Sequence, residues 1–239
     1  NYFNFIFTSK SNIPFGFQCD LCSYDEASIL ASKISPNLII HCAASVPKNN
    51  LDYQSEKIYE DNLKMVEHLI EFFDCQVIFM SSMTVYGNIE KESVSENVIL
   101  SPSSRYAISK KRSEELLKNH SKPTISLRLP GLFSKRRKNG IIFNTINSIK
   151  NNNKIVLPES PVTWSAMNVE DAVQNILQLC TLNWKNYEQL NIGYSGKISI
   201  NYFLDIISKY FNTNINYDII HPTFKYDLSL FEKIGLKNQ

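Results

Sequence analysis

Short apolar runs alternate with longer amphipathic stretches through the first half of the chain, and this alternation constrains the fold more than any other feature. Each run has the length of a buried strand, and each amphipathic stretch is long enough for a helix. Strands and helices that alternate with short connections build parallel sheets from βαβ units. The pattern therefore predicts an α/β protein with a doubly wound parallel sheet. The predicted strands are residues 4–8, 37–41, 76–81 and 124–129, and the predicted helices are residues 24–34, 54–73 and 104–119.

The rhythm changes after Gly131, where the elements become shorter and polar breaks separate them. We interpret residues 1–131 as one domain whose sheet is completed by parts of 160–195, and residues 132–239 as mainly a smaller C-terminal lobe. The elements predicted here are helices at residues 141–150, 169–179 and 198–210, and strands at residues 155–157 and 189–192.

Composition and charge exclude several classes of partner. The net charge is +2 over 239 residues, which gives no broad basic field for nucleic acid. No apolar run reaches the roughly 20 residues that span a bilayer, and the N-terminus lacks the basic start of a secretory signal. The five cysteines are odd in number and scattered, which is typical of reduced thiols. We therefore expect a cytoplasmic protein with neither a nucleic-acid nor a membrane partner.

Cys19 and Cys22 form a C-x-x-C pair, the spacing found in zinc and redox sites. A structural metal site needs a second pair of ligands, and a redox site needs a strand-to-helix context. The sequence offers neither, so no metal site is predicted.

Tyr106 and Lys110 are four residues apart on a predicted helix, so they share one face with Cβ atoms about 5–6 Å apart. A phenol titrates near 10 and is a poor base at neutral pH, but an adjacent cation stabilises the phenolate and lowers its pKa. The pair could therefore transfer a proton. The same spacing also arises in many helices whose residues only face solvent.

Small and hydroxyl residues follow three of the predicted strands, at the edge where open α/β sheets bind ligands. Ala43 and Ala44 follow one strand, Ser81 ends the next and Ser82 follows it, and Pro130 follows the third. This context favours a site over the solvent-facing alternative for Tyr106 and Lys110.

Several motifs in order resemble the extended short-chain dehydrogenase/reductase family, particularly its nucleotide-sugar epimerases, dehydratases and ketoreductases. The resemblance covers nearly the whole chain and implies a Rossmann-like, NAD(P)-binding first domain and a substrate-binding second lobe. The matching segments are residues 40–44, Asn62, 81–87, 106–110, 128–131, 168–172 and 190–193.

The resemblance implies a role for each matching residue. Tyr106 would be the acid/base, Lys110 would bind the nicotinamide ribose and lower the Tyr106 pKa, and Ser82 would bind the reacting oxygen. The implied cofactor-binding residues are Lys10, Asp20, Leu21, Ala43, Ala44, Asn62, Ser81, Tyr106, Lys110, Pro130 and Leu132. The candidate substrate-binding residues are Ser82, Thr84, Arg136, Arg137, Asn144 and Trp164. Trp164 could equally be a core anchor.

One family element is missing, namely the opening strand with its Gly-rich turn, which binds the cofactor pyrophosphate. Gly16 is the one glycine before Gly87, so three close glycines cannot be present there. Either the chain is a fragment without the first βα unit, or it is a degenerate homologue that binds no dinucleotide. The intact Tyr, Lys and Ser set favours the fragment.

Two positions bear on cofactor and reaction. The predicted first strand ends in hydroxyls and Lys10 with no acid, which leans towards NADP over NAD as the cofactor. Dehydratases of the family place acidic residues after the Ser82 equivalent, whereas this chain has Met83 and Thr84, which disfavours dehydration. We therefore expect a nucleotide-sugar 4-ketoreductase ahead of a 4-epimerase, with a non-catalytic scaffold protein as the alternative. By analogy with the family, residues 54–73 and the Tyr106 helix would form a four-helix interface in a homodimer.

Overall fold

Ten strands and seven α-helices occur in the part of the chain that the computed structural model describes, residues 3–49, 51–89 and 92–236. The strands are β1 (Phe7–Ser9), β2 (Gly16–Gln18), β3 (Leu38–His41), β4 (Gln76–Ser82), β5 (Ser93–Val94), β6 (Thr124–Leu129), β7 (Gly131–Phe133), β8 (Ala166–Asn168), β9 (Glu188–Asn191) and β10 (Lys225–Tyr226). The helices are α1 (Tyr24–Lys33), α2 (Glu56–Phe72), α3 (Arg105–Lys118), α4 (Ile141–Lys150), α5 (Val169–Thr181), α6 (Ile200–Phe211) and α7 (Ser229–Lys233).

The strands pair in the parallel manner that the βαβ pattern predicts, which confirms the α/β class. Four strands form one sheet in the order β3-β4-β6-β9. In the β3–β4 ladder, Leu38 lies opposite Gln76 and His41 lies opposite Phe79. Three further parallel pairs are β1–β2, β7–β8 and β5–β10.

The chain divides into two units, and the first comprises the residues up to Ser81 together with Ser103–Ser126 and Trp184–Glu188. Each of the three helices of this unit has a serine as its N-cap residue, and the serine side chain accepts a hydrogen bond from a first-turn amide. These N-caps are Ser23, Ser55 and Ser104. Such caps satisfy backbone N–H groups that a helix end leaves unpaired.

The core of the first unit places helices α2 and α3 against the sheet. Val66 and Leu69 of α2 and Leu117 of α3 pack on Val77 and Phe79 of β4. These side chains alternate along β4, as one face of a strand requires. The packing holds α3, with its Tyr and Lys, against the strand that ends in Ser81 and Ser82.

The second unit comprises Ser82–Pro102, Leu127–Asn183 and Gln189–Gln239. Its apolar cluster joins α4 to α6, with Ile200, Leu204 and Ile207 of α6 buried. The strand predicted at residues 155–157 is wrong, because these residues form no ladder. Ile155 and Leu157 instead pack against this cluster, which accounts for their apolar character without a strand.

Candidate active site

Lys110 is buried and makes three contacts in the first unit, two of them with β4. Only 3% of the residue is exposed. Its Nζ donates a hydrogen bond to the Met80 carbonyl at 2.9 Å and lies 4.7 Å from the ring centroid of Phe79. The same Nζ lies 5.9 Å from the ring centroid of Tyr106, one turn earlier on α3. The predicted Tyr–Lys pair therefore shares one face of the helix, and its amine points into the protein.

Burial shapes the charge of the two basic groups here. Removal from water lowers the pKa of Lys110 to about 8, although negative groups nearby oppose this shift. His41, which ends β3 and stacks on Phe79, is also buried. Desolvation, with the Lys110 cation as a second cause, lowers the pKa of His41 to about 3. At neutral pH, Lys110 is therefore the charged group of the two.

The low Lys110 pKa predicts a stability effect that depends on pH. Unfolded lysine keeps its ordinary pKa of 10.5, so between pH 8 and 10.5 the unfolded chain holds more protons than the folded protein. The free energy of unfolding of the wild type should then rise by about 3 kcal/mol relative to Lys110→Met across that window. Urea unfolding followed by tryptophan fluorescence at pH 7 and pH 10 measures the difference. Lys118→Met changes an exposed site on the same helix, and its free energy of unfolding should differ from that of the wild type by the same amount at pH 7 and pH 10. If the difference between Lys110→Met and wild type were also the same at the two pH values, the prediction would be contradicted.

Asn62 joins the loop after β3 to the Tyr–Lys helix. Its side-chain oxygen accepts from the Ser45 amide at 2.8 Å, and its Nδ2 donates to the Ser45 carbonyl and to Ser109 Oγ, both at 3.1 Å. Ala43 is exposed and Ala44 half-buried on the same loop. The loop predicted to approach a cofactor therefore has small side chains and a fixed position relative to α3.

Lys10 and Asp20, both predicted to bind the cofactor, form an ion pair with 2.6 Å between Nζ and Oδ2. The hydrogen bond from Lys10 lowers the pKa of Asp20, and the reverse interaction raises the pKa of Lys10. Asp20 Oδ1 also accepts from the Cys22 amide at 3.0 Å. The carbonyl of the neighbouring Leu21 accepts a hydrogen bond from His68 Nδ1 at 2.8 Å. The ends of β1 and β2 are thus tied together.

Ser82 and Thr84 lie in the second unit, where Met83–Tyr86 form a turn of 3-10 helix. Ser82 Oγ accepts from the Thr84 amide at 3.3 Å and from Thr84 Oγ1 at 3.0 Å. Because this oxygen accepts both bonds, the Ser82 hydroxyl proton is the group left to donate. That suits the predicted hydrogen bond to a reacting oxygen.

The other predicted residues of the second unit differ in their surroundings. Pro130 is buried and Leu132 half-buried, while Arg136, Arg137 and Asn144 are exposed. Their positions leave the proposed roles in binding untested.

Trp164 packs inside the second unit. Its ring lies 5.3 Å from that of Phe203 at 79°. A Cβ added to Gly131 would lie 2.9 Å from Trp164 Nε1, so the absence of a side chain at Gly131 makes room for the indole. These contacts are those of a core anchor, the alternative role that the sequence left open.

Glu114 is absent from the predicted site, although it is buried and binds Ser81. The signal for it was its spacing, four residues after Lys110 and eight after Tyr106, which places all three on one helix face. Arg128 is fully buried in the second unit and is likewise missing from the prediction. Cys19 and Cys22 acquire no metal-ligand cluster, because the described residues contain no group of three or more potential ligands.

A parallel α/β sheet whose strand-end serines precede a helix carrying Tyr and a buried Lys defines the short-chain dehydrogenase/reductase class. Residues 7–193 match the NAD dependent epimerase/dehydratase family, and the chain belongs to that family. None of the described helices is long and apolar enough to cross a membrane.

One curated relative and two solved structures are similar to this chain. A Methanocaldococcus jannaschii protein named "Putative UDP-glucose 4-epimerase" is 28% identical over 184 residues, 71% of this chain and 59% of its own length. UDP-glucuronic acid 4-epimerase from Bacillus cereus, solved with UDP-glucuronic acid and NAD, has a TM-score of 0.74 at 18% identity, with 92% of this chain and 74% of that chain covered. UDP-glucose 4-epimerase from Thermotoga maritima, solved with UDP-glucose, has a TM-score of 0.77 at 16% identity, with 94% and 80% covered. The structural similarities show the fold.

Proposed function

We propose that the protein takes part in NAD(P)-dependent hydride transfer on a nucleotide sugar, with Tyr106 as the acid/base. The observation that carries this proposal is the position of Lys110, buried, bound to the Met80 carbonyl and one turn from Tyr106. Burying an amine costs free energy that a surface lysine does not incur. A role next to a phenol that must ionise gives a reason for that cost.

The described residues suit the two ends of a dinucleotide better than its pyrophosphate. The small Ala43 and Ala44 lie on the loop that Asn62 binds through Ser45, and Asn62 also binds Ser109, the residue before Lys110. This arrangement suits the nicotinamide and its ribose. The Lys10–Asp20 pair suits the adenosine end. A Gly-rich turn for the pyrophosphate is not among the described residues, where Gly16 lies within β2. When bound, the dinucleotide would supply the hydride chemistry.

The chain's own residues would then handle the proton. Tyr106 Oη would give a proton to the substrate oxygen during reduction, or take one from a hydroxyl during oxidation. The Lys110 cation would stabilise the resulting phenolate. Ser82 would donate its hydroxyl proton to a substrate oxygen, in line with the two bonds that its Oγ already accepts.

Reduction of a 4-ketone remains our first proposal for the reaction, because Met83 and Thr84 offer no acid for dehydration and Lys10 favours NADP. Epimerisation at C4 is the second candidate, which the names of the three similar proteins support, since each name includes 4-epimerase. A reductase consumes NADPH in proportion to product, whereas an epimerase does not. Incubating the protein with a 4-keto nucleotide sugar and NADPH therefore separates the two.

The substrate would be held by the second unit. We propose that Arg136 and Arg137, which are both exposed, bind the nucleotide diphosphate, because a guanidinium group can form bidentate hydrogen bonds with a phosphate. Thr84, Asn144 and Trp164 remain candidates for sugar or base contacts.

A homodimer through α2 and α3 also remains a proposal. The two helices pack against each other, and Arg105 of α3 forms an ion pair with Glu56 at the start of α2 at 2.8 Å. Exposed positions on α3 carry another pair, Arg112 with Glu115. A dimer on these helices would therefore involve charged as well as apolar side chains.

Cofactor choice tests the proposed function directly. Lys10→Met should weaken NADPH binding about tenfold while leaving NADH binding little changed, because a charge-assisted bond to the 2′-phosphate would be lost. Titration followed by nicotinamide fluorescence gives both constants, and Lys33→Met, an exposed lysine on α1, is the control. An unchanged NADPH-to-NADH ratio would rule out Lys10 as the determinant. No binding of either dinucleotide by the wild type would favour the scaffold alternative.

A further inference from the structure

Glu114 is a buried carboxylate on the same face of α3 as the Tyr–Lys pair. It lies one turn after Lys110 and two turns after Tyr106, and 2% of it is exposed. Its Oε1 accepts a hydrogen bond from Ser81 Oγ at 2.6 Å. Acidic residues are almost never buried unless a partner compensates them. Ser81 is one such partner of Glu114, and Lys110 lies one turn away on the same helix.

Two consecutive residues of β4 bind two consecutive turns of α3. Lys110 Nζ donates to the Met80 carbonyl at 2.9 Å, and Ser81 Oγ donates to Glu114 at 2.6 Å. Since the bonds lie one turn apart along the helix, together they set both the rotation and the height of α3 on the strand. A shift of α3 along its axis would break both.

The groups that face Lys110 differ in charge. From β4 it meets the Phe79 ring and the Met80 carbonyl, and from β3 the His41 ring, which is neutral at pH 8 because burial lowers its pKa to about 3. Cys42 follows β3, and desolvation raises the pKa of its thiol, so it too is neutral near pH 8. On α3 itself lie the Tyr106 phenol and the Glu114 carboxylate. Cys42 and Glu114 are the two groups whose negative charge would raise the pKa of Lys110, and Glu114 is the carboxylate of the two.

We propose that Glu114 is a positioning residue of the site, which anchors α3 to the end of β4 through Ser81 and keeps Lys110 protonated. The proposal rests on the proposed function, because the charge of Lys110 matters for turnover only if Tyr106 must ionise. The effect of Glu114 on the protonation of Lys110 can be measured without turnover. A unit charge at i, i+4 in a poorly solvated setting interacts with the amine far more strongly than a surface charge does.

Titration of Lys110 by NMR tests the proposal without cofactor or substrate. The side-chain Cε–Hε signals of lysine-labelled full-length protein are followed from pH 6 to pH 11, and Lys110→Met identifies the signal. Wild-type Lys110 should titrate near pH 8. In Glu114→Gln, which keeps an acceptor for Ser81, the midpoint should fall by about one pH unit. The matched control is Glu115→Gln, the next residue of the helix, which is exposed and ion-paired with Arg112.

Two further variants separate charge from anchoring. Ser81→Ala removes the hydrogen bond and keeps the carboxylate, so the Lys110 midpoint should stay near wild type while the melting temperature falls. Glu114→Asp keeps the charge if Glu114→Gln does not fold, and its midpoint should also stay near wild type. Equal midpoints in Glu114→Gln and Glu115→Gln would overturn the proposal, as would a midpoint lowered in Glu114→Asp. Because no reaction is measured, a protein that proves inactive would refute the proposed function and leave this result standing.

Discussion

Tyr106→Phe is expected to lower turnover by about 10²–10⁴-fold, the contribution of a positioned acid or base. The substitution removes only the phenol oxygen, and the ring keeps its edge contact with Tyr53, whose centroid lies 5.9 Å away at 90°. Lys110 also keeps its bond to the Met80 carbonyl. The free energy of unfolding should therefore change by no more than about 1 kcal/mol.

Steady-state turnover with NADPH and a 4-keto nucleotide sugar measures the loss, and nicotinamide fluorescence checks that the dinucleotide still binds. Tyr53→Phe is the matched control, since it removes a phenol oxygen from the adjoining ring, which belongs to the loop before α2. Turnover equally reduced in both variants, or unchanged in Tyr106→Phe, would exclude Tyr106 as the acid/base. Loss of dinucleotide binding would instead make Tyr106 a binding residue.

The longer elements of the fold were predictable because their periodicity extends over several turns or strand residues. The strand Thr124–Leu129 begins and ends where the sequence predicts, and helix α3 differs from the prediction by one residue at each end. Strands of two or three residues, such as β5 and β10, are too short to produce a periodic signal. The β5–β10 ladder joins residues more than a hundred positions apart, such as Ser93 and Lys225, and no local pattern records such a pairing.

The site was predictable to the extent that it is local. Tyr106 and Lys110 are neighbours through helix geometry alone, so their spacing predicts their contact. The ion pair of Lys10 with Asp20 joins the ends of two strands, and only the β1–β2 pairing brings them together. That pairing bears on the proposed preference for NADP, because a lysine engaged by a carboxylate is less available to a 2′-phosphate than its sequence position suggests.

Arg128 shows the same limit within the second unit. The sequence places it at the end of a buried strand, where an arginine is unexpected, and its partners come from distant segments. Its Nη1 donates to Tyr86 Oη at 3.1 Å and to the Glu96 carbonyl at 2.9 Å. Tyr86 in turn donates to Asn191 Oδ1 at 2.5 Å, and the Asn191 amide donates to Glu96 Oε1 at 2.7 Å. The network therefore secures the end of the 3-10 turn that begins after Ser82.

Arg128→Met is expected to lower the free energy of unfolding by about 3–5 kcal/mol, because Tyr86 Oη and the buried Glu96 carbonyl each lose the hydrogen bond that the guanidinium donates. Arg128 is 1% exposed and lies 5.0 Å over the Tyr86 ring, so no water can replace its guanidinium without a rearrangement. Burial already raises the pKa of Glu96, and Arg128 opposes that rise, so the variant should also hold Glu96 protonated to higher pH.

Urea unfolding of the wild type and of Arg128→Met measures the loss in free energy of unfolding. Arg112→Met is the control for removing an arginine. Arg112 is exposed and pairs with Glu115, so its replacement should lower the free energy of unfolding far less than Arg128→Met does. Similar losses for the two arginines would show that the buried network contributes no more than a surface ion pair. A large loss for Arg128→Met alone would mean that the turn carrying Thr84 depends on an arginine that contacts neither Ser82 nor Thr84 in these bonds. The positions of the Ser82 and Thr84 hydroxyls, which the proposed reaction would use, would then depend on a buried arginine.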